Sequence, residues 1–429
     1  MKSTPTTDLN PNLNPNMSES PDDEPSLAYS TTKNCSSASD LHPSETSHTH
    51  LSSPDEPRHG TMSVHHTHAH SRSWLTLQAT IWRFLMSIGM FFHTVGWYRP
   101  PRPSFVRRIP FSSKGRVVDL YFYCPPSYWK YKSKSHRLSS TASQRPFPVV
   151  VNFHGGGFTL GKATDDSYWA KCVLKETDAV FVSVEYRLAP EHPFPAAVDD
   201  GVEALLYLAS HAGELGIDAS RIALTGFSSG GNLAITVPLR LQSRLKNDAT
   251  SDILNIDPEP EAFGPLDSTQ HLFSSSSANQ QGNLHIVATF AWYPLLDFVA
   301  SRAHRRAMSV IPGKTMPSFF TTLFDESYLP DHTQRSSPFA SPERASDEIL
   351  AAGLPHDIFL YTCEWDMLLH EGQRFVRRLE QMGKKVRAMM VEKVPHAWDK
   401  SPNPFRDQGK INIFYRAACG EMKAIFDHS

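Results

Sequence analysis

Cysteine is scarce in this chain: Cys35, Cys124, Cys172, Cys363 and Cys419 are the five among 429 residues. Their scatter, odd number and lack of any C-x-x-C spacing exclude a zinc or dithiol motif, and most are expected to be free thiols, several in the core. No charge of one sign dominates either. The formal net charge is −2, which leaves no electrostatic footprint for nucleic acid or for an acidic partner. An apolar leader is also lacking, since Met1-Lys2-Ser3-Thr4-Pro5 opens a long polar stretch. The expected location is therefore cytoplasmic and reducing, with membrane association left open. Asn34-Cys35-Ser36 fits a glycosylation acceptor, but that modification requires export.

A hydrophobic content of 40% supports a sizeable core, and the length suits one α/β catalytic domain with accessory segments. Residues 1 to about 72 are rich in Ser, Thr, Pro and His and carry almost no apolar periodicity, so they are expected to form a disordered tail. The run His65-His66-Thr67-His68-Ala69-His70 belongs to that low-complexity tail, and no metal site is assigned to it. From Trp74 to Trp97 the character changes: Thr76, Thr80, Arg83, Ser87 and Thr94 recur at helical spacing and leave the remaining surface apolar. Three destinations suit such a helix within residues 73–105: a cap folded over the mouth of a site, a place in a membrane interface, or a span. The cap is favoured. Within this stretch the longest run without a strongly polar residue or histidine, Phe84 to Phe92, is short of the roughly 20 residues that a span needs.

Beyond Pro100-Pro101-Arg102-Pro103 the pattern becomes one of strands separated by stretches long enough for crossover helices. Strands are expected at Arg116 to Tyr123, Phe147 to Phe153, Ala179 to Val184, Arg221 to Thr225, Ile286 to Trp292, Ile358 to Cys363 and Val386 to Val391. Helices are expected at Val198 to Ala209 and Glu371 to Met382, with a polar loop between the first two strands. Residues 106–429 then form an α/β domain whose mainly parallel sheet is covered by helices on both faces. Residues 246–282, acidic and then Ser-rich, are expected to be a disordered excursion, and residues 298–335 an insertion that contributes to a cap.

The chemistry concentrates at strand ends. In Gly226-Phe227-Ser228-Ser229-Gly230 a strand meets a serine flanked by glycines and then a helix. Such a turn presents Ser228 above the sheet as a nucleophile. His154-Gly155-Gly156-Gly157-Phe158 follows another strand, where successive glycines can aim backbone N–H groups at an oxyanion. The expected donors are Gly155 and Gly156, with Ser229 as the third. A serine needs a base, and the base needs an orienting acid. His396, after the last strand, is the expected base. Asp366 is the expected acid, with Glu364 as a neighbouring competitor. The chain order Ser, Asp, His suits an α/β hydrolase.

From about Phe147 onward the chain resembles the hormone-sensitive-lipase-like family of α/β hydrolases. The resemblance rests on His154-Gly155-Gly156-Gly157-Phe158, on Tyr186-Arg187-Leu188-Ala189-Pro190-Glu191-His192-Pro193-Phe194-Pro195-Ala196-Ala197, and on the elbow continuing into Gly231-Asn232-Leu233-Ala234. It implies an α/β-hydrolase fold with a helical cap drawn from residues 74–97 and 298–335. It places the family's acid at Asp366 in Asp366-Met367-Leu368 and its base at His396 in His396-Ala397-Trp398. Phe227 and Ser229 depart from the family elbow, which usually reads Gly-Asp-Ser-Ala-Gly. Glu191 and His192 are read as scaffold. The implied activity is a serine carboxylesterase or lipase-like hydrolase that works on small-molecule esters without cofactor or metal. An amidase, deacetylase or acyltransferase with the same triad, and a non-catalytic small-molecule receptor, are the alternatives.

Overall fold

The structure, a computed structural model, describes residues 70–96, 100–110, 117–135, 145–254, 284–400, 402–403 and 405–429. All of them belong to one compact unit that spans His65–Ser429. The expected tail, apart from its last residues, and the histidine run up to Ala69 lie outside the described residues.

Eight strands form one sheet: β1 (Phe105–Pro110), β2 (Val117–Tyr123), β3 (Phe147–Phe153), β4 (Val180–Glu185), β5 (Ile217–Phe227), β6 (Ile286–Trp292), β7 (Asp357–Cys363) and β8 (Lys385–Val391). Their spatial order is β1-β2-β4-β3-β5-β6-β7-β8. The β1–β2 and β2–β4 pairs are antiparallel, and the other pairs are parallel. This is the expected α/β-hydrolase architecture.

The continuous apolar runs of β3 and β5 follow from burial on both faces. Val149, Val151 and Phe153 pack with Val198, Val202, Leu233 and Val237 from the helices Ala196–Ser210 and Ser229–Leu254. Val150 and Ala223 point the other way, towards Trp169, Val173, Tyr415 and Met422 from the helices Ser167–Thr177 and Gln408–His428. A strand with water on neither side has no reason to alternate in polarity.

Three expectations are corrected. β1 was not foreseen, because an exposed edge strand carrying Arg107 and Arg108 shows no apolar run. The polar stretch after β2 folds as a helix, Pro126–Ser135, before the chain leaves the described residues. The helix after the elbow runs to Leu254, into the segment expected to be an excursion, and residues 255–283 lie outside the description.

The apolar segment near residue 74 is the helix Arg72–Gly96. Its inner face buries Ala79, and Leu75, Trp82 and Met86 pack with Leu160, Leu323 and Phe324. Trp82 stacks on Phe319 at 5.6 Å and leans on Phe320 at 4.6 Å, both from the helix Ser318–Tyr328, which lies in the segment expected to form a cap. The polar stripe is partly self-satisfied: Thr80 donates to the Thr76 carbonyl at 2.8 Å and Ser87 to that of Arg83 at 2.9 Å. Arg83 instead leaves the helix, donating to the carbonyls of Thr159 and Ala189 at 2.8 Å each and pairing with Glu191 at 2.9 Å. Removing these charge-assisted bonds should weaken docking by about 1–3 kcal/mol. Arg83→Met should therefore raise amide exchange along Arg72–Gly96 while leaving that of β3 and β5 unchanged.

Candidate active site

Ser228 follows the last residue of β5 and immediately precedes the helix Ser229–Leu254. It holds φ at +56°, a conformation that a side chain normally avoids. Two neighbours make the turn possible. A Cβ on Gly230 would run into the Phe153 carbonyl, and one on Gly226 into the Gly230 carbonyl. The turn is held by the Ser228 N–H donating to the Trp292 carbonyl at 2.8 Å, and by the Asn232 N–H donating to the Ser228 carbonyl at 3.0 Å.

Asp366 and His396 lie beyond β7 and β8 and converge on that serine. His396 Nε2 is 2.8 Å from Ser228 Oγ, and His396 Nδ1 is 2.6 Å from Asp366 Oδ2. Asp366 is buried, and its other oxygen accepts the Leu368 N–H at 3.1 Å. The rival acid Glu364 faces elsewhere, accepting the Lys393 N–H at 2.6 Å on the turn that leads to His396. One carboxylate therefore contacts the imidazole, and the other braces the loop that carries it.

The glycine loop after β3 reaches the same place. Gly156 and Gly157 hold φ of +116° and +62°. Gly155 packs beneath the elbow, where a Cβ would sit 3.0 Å from the Phe227 carbonyl. The cavity at Ser228 is walled by Gly157 and Ser229, whereas Gly155 and Gly156 do not line it. Gly157 was not among the expected donors. Side chains of Leu295, Met316, Phe324, Met367 and Leu368 complete an apolar enclosure, with Arg302 as its one cation. The space is about 30 Å³, little more than water occupies.

Phe227, the departure from the family elbow, has a physical context. It is buried among Trp169, Trp292, Tyr293 and Tyr415, so an apolar ring suits the site. The Lys400 ammonium lies 2.9 Å from the ring centroid and pairs with Asp166 at 2.6 Å. Asp166 is also held by Asn152 at 2.9 Å. Next to Lys400, the buried Asp399 accepts hydrogen bonds from Tyr293 at 2.6 Å and Tyr415 at 2.5 Å. Burial, reinforced by the Asp399 charge, raises both phenols well above their ordinary pKa, so both remain donors. Tyr293 also meets the His396 ring edge-on at 4.9 Å. The sequence offered no spacing that links residues 166, 227, 293 and 399–400.

Glu191, read from sequence as scaffold, serves the helix through Arg83. In the same stretch Arg187 grips the fully buried Asp200 at 2.6 Å, a brace that sequence reasoning missed. Among the described residues no group of three or more His, Cys, Asp or Glu side chains is arranged to hold a metal.

Comparison with known proteins agrees with this fold. A family model described as the alpha/beta hydrolase fold matches residues 150–400. An AB hydrolase superfamily protein of Schizosaccharomyces pombe is 28% identical over 265 residues, 62% of this chain and 67% of that protein. Carboxylesterase NlhH of Mycobacterium tuberculosis is 49% identical over 87 residues, 20% of this chain and 27% of that protein. Among solved structures, a thermostable esterase from Pseudomonas putida superposes with a TM-score of 0.59 at 22% identity, covering 82% of this chain and 91% of that one, and supports the fold. The chain belongs to the hormone-sensitive-lipase-like family of α/β hydrolases, the carboxylic-ester hydrolases that work through a Ser-His-Asp triad.

Proposed function

We propose that the chain hydrolyses carboxylic esters of small molecules through an acyl-enzyme on Ser228, with His396 as general base and Asp366 as its orienting acid. The observation that carries this reading is the unbroken contact from Ser228 Oγ to His396 Nε2 at 2.8 Å and from Nδ1 to Asp366 at 2.6 Å. His396 accepts the serine proton as Oγ attacks the ester carbonyl, then returns it to the departing alcohol oxygen. Asp366 keeps the imidazole in the tautomer that presents Nε2 as acceptor and stabilises the imidazolium. The backbone N–H groups of the Gly155–Gly157 loop and of Ser229 receive the oxyanion, with Gly157 and Ser229 on the cavity wall. Water entering after the alcohol leaves repeats the cycle on the acyl group. The narrow space above Ser228 favours short acyl groups unless the cap side chains Met316 and Phe324 move.

The base is positioned by its own loop. Asp399 on its two phenols and Lys400 on Asp166 fix the segment three and four residues beyond His396. Lys400 is the sensitive member, since its loss strands Asp166 without its cation.

A second element of the reading concerns where the enzyme works. The helix Arg72–Gly96 turns Trp74, Leu77, Ile81, Phe84, Ile88 and Phe91 outward, between 38% and 65% exposed. Phe319 of the neighbouring cap helix, 51% exposed, adds to this apolar surface. Contrary to the short run expected from sequence, Arg72–Phe92 is long and apolar enough to cross a membrane by length and composition, because it tolerates a single central cation. That cation, Arg83, is committed to the catalytic unit, which favours a helix lying in a membrane interface over one crossing it. The enzyme is thus proposed to act on the cytoplasmic face of a membrane, in keeping with its four described cysteines being free thiols.

Ser228→Ala should lower kcat for phenyl acetate by at least about 10⁴-fold and abolish labelling by a fluorophosphonate; wild-type turnover in that variant would overturn the assignment. Lys400→Met should cost about 2–3 kcal/mol in urea unfolding and lower kcat more than it changes KM; unchanged stability would refute the brace. Wild-type protein should sediment with phosphatidylcholine–phosphatidylserine vesicles, and the triple variant Phe84→Ser, Phe91→Ser, Phe92→Ser should stay in the supernatant while hydrolysing soluble esters. Equal sedimentation of the two proteins would refute the interfacial helix.

A further inference from the structure

Arg302 is an unusual wall for an ester-hydrolase cavity. It opens the cap helix Arg302–Met308 and lines the same enclosure as Ser228 and His396, beside Met316, Phe324 and Met367. Its side chain is 16% exposed. A cation placed among apolar side chains needs acceptors for its donors, and a guanidinium presents five N–H groups in a rigid plane.

Those donors are unevenly used. Nε donates to Asp325 Oδ2 at 2.9 Å and Nη2 to Asp325 Oδ1 at 2.6 Å, a two-pronged pair along one edge. Nη1 donates to the thioether of Met367 at 4.0 Å, a weak acceptor, and meets no oxygen acceptor among the described residues. The two sides differ in position as well. Asp325 does not line the cavity and Met367 does, so the edge paired with the carboxylate lies away from the cavity and the arm against the thioether lies on its side. Asp325 also locks the guanidinium plane, so Nη1 is held in place before anything binds.

Local charge decides what kind of acceptor fits. Asp325 already balances Arg302, and Asp366 adds a carboxylate to the same wall. Nearby, the buried Arg305 is itself paired with the buried Glu371 at 3.2 Å. An anionic group on the substrate would enter a region with no spare positive charge. A neutral oxygen would accept a hydrogen bond from Nη1 without that penalty.

We propose that Arg302 is a specificity-determining residue that donates a hydrogen bond from Nη1 to a neutral oxygen, a carbonyl or an ether, carried by the acyl or alcohol arm of the ester. The natural substrate is then a small oxygenated ester rather than a plain alkyl ester. This rests on the ester-hydrolase reading of the same cavity and deepens it by naming the substrate class. Once the side chains of Met316 and Phe324 give way, the apolar walls accommodate the carbon skeleton, and the single fixed donor chooses where its oxygen lies.

The test compares matched esters that differ by one oxygen. Phenyl methoxyacetate against phenyl butyrate places the oxygen on the acyl arm, and acetonyl acetate against isobutyl acetate places it on the alcohol arm. Ratios of kcat/KM within each pair, compared between wild type and variants, cancel the intrinsic reactivity of the esters. Arg302→Lys keeps the ion pair with Asp325 and removes the second guanidinium arm. Arg302→Met with Asp325→Leu removes both charges together, so that neither is stranded if the lysine variant folds poorly. In at least one pair the oxygenated ester should lose at least about tenfold relative to its alkyl partner in either variant. Ratios unchanged in both pairs, or parallel losses for both members of each pair, overturn the proposal. Failure of the ester-hydrolase reading would look different, as absent turnover of all four esters and absent fluorophosphonate labelling in the wild type.

Discussion

The positive φ at Ser228 is the constraint on which the rest of the site depends. A serine at +56° between a buried strand and a buried helix is tolerated because Gly226 and Gly230 let the chain pass where any Cβ would strike a carbonyl. The strain is balanced by the bond from the Ser228 N–H to the end of β6, and by the helix that starts one residue later. Because the turn is anchored to β3, β5 and β6 at once, Oγ has a fixed position relative to the glycine loop after β3. Acid and base are then needed only at the ends of the next strands, where β7 and β8 deliver them.

A fixed nucleophile is of little use beside a mobile base. The loop carrying His396 lies beyond the last strand, and polar contacts inside an aromatic cluster hold the residues that follow it. Asp399 is held by two phenols, Lys400 by Asp166, and Tyr293 touches both Asp399 and the imidazole. Phe227 belongs to that arrangement. Where the family usually has an acid before the nucleophile, this chain has a ring facing Lys400. Cation–π attraction and the Asp166 pair hold the lysine in a crowded place. The departure at the elbow and the clamp on the base loop are parts of one arrangement.

This division explains what the sequence could reveal. Strands buried on both faces carry unbroken apolar runs, so β3, β5, β6, β7 and β8 were legible within a few residues, as were the strand-end positions of Ser228, Asp366 and His396. β1 was not, because an edge strand with Arg107 and Arg108 looks like a polar linker. That Gly157 lines the cavity was not legible, because three consecutive glycines are equivalent in sequence, and only the bend of the loop decides which of them faces it. Pairs such as Lys400 with Asp166 and Arg83 with Glu191 join residues far apart in the chain. Each member alone reads as an ordinary surface charge.

On the proposed reading, the segments above the cavity give the same chemistry its selectivity. Two arginines tie cap segments to what lies beneath or beside them, Arg83 through backbone carbonyls near the oxyanion loop and Arg302 through Asp325 of the next cap helix. Arg83 spends its donors on the protein and so acts as a fastener. Arg302 keeps part of its guanidinium unspent in the cavity, which is costly in an apolar place unless a substrate supplies the missing acceptor. A buried donor left without an oxygen is a structural liability when the site is empty and a contact when it is filled. That difference separates a residue that fastens the fold from one proposed to recognise a substrate.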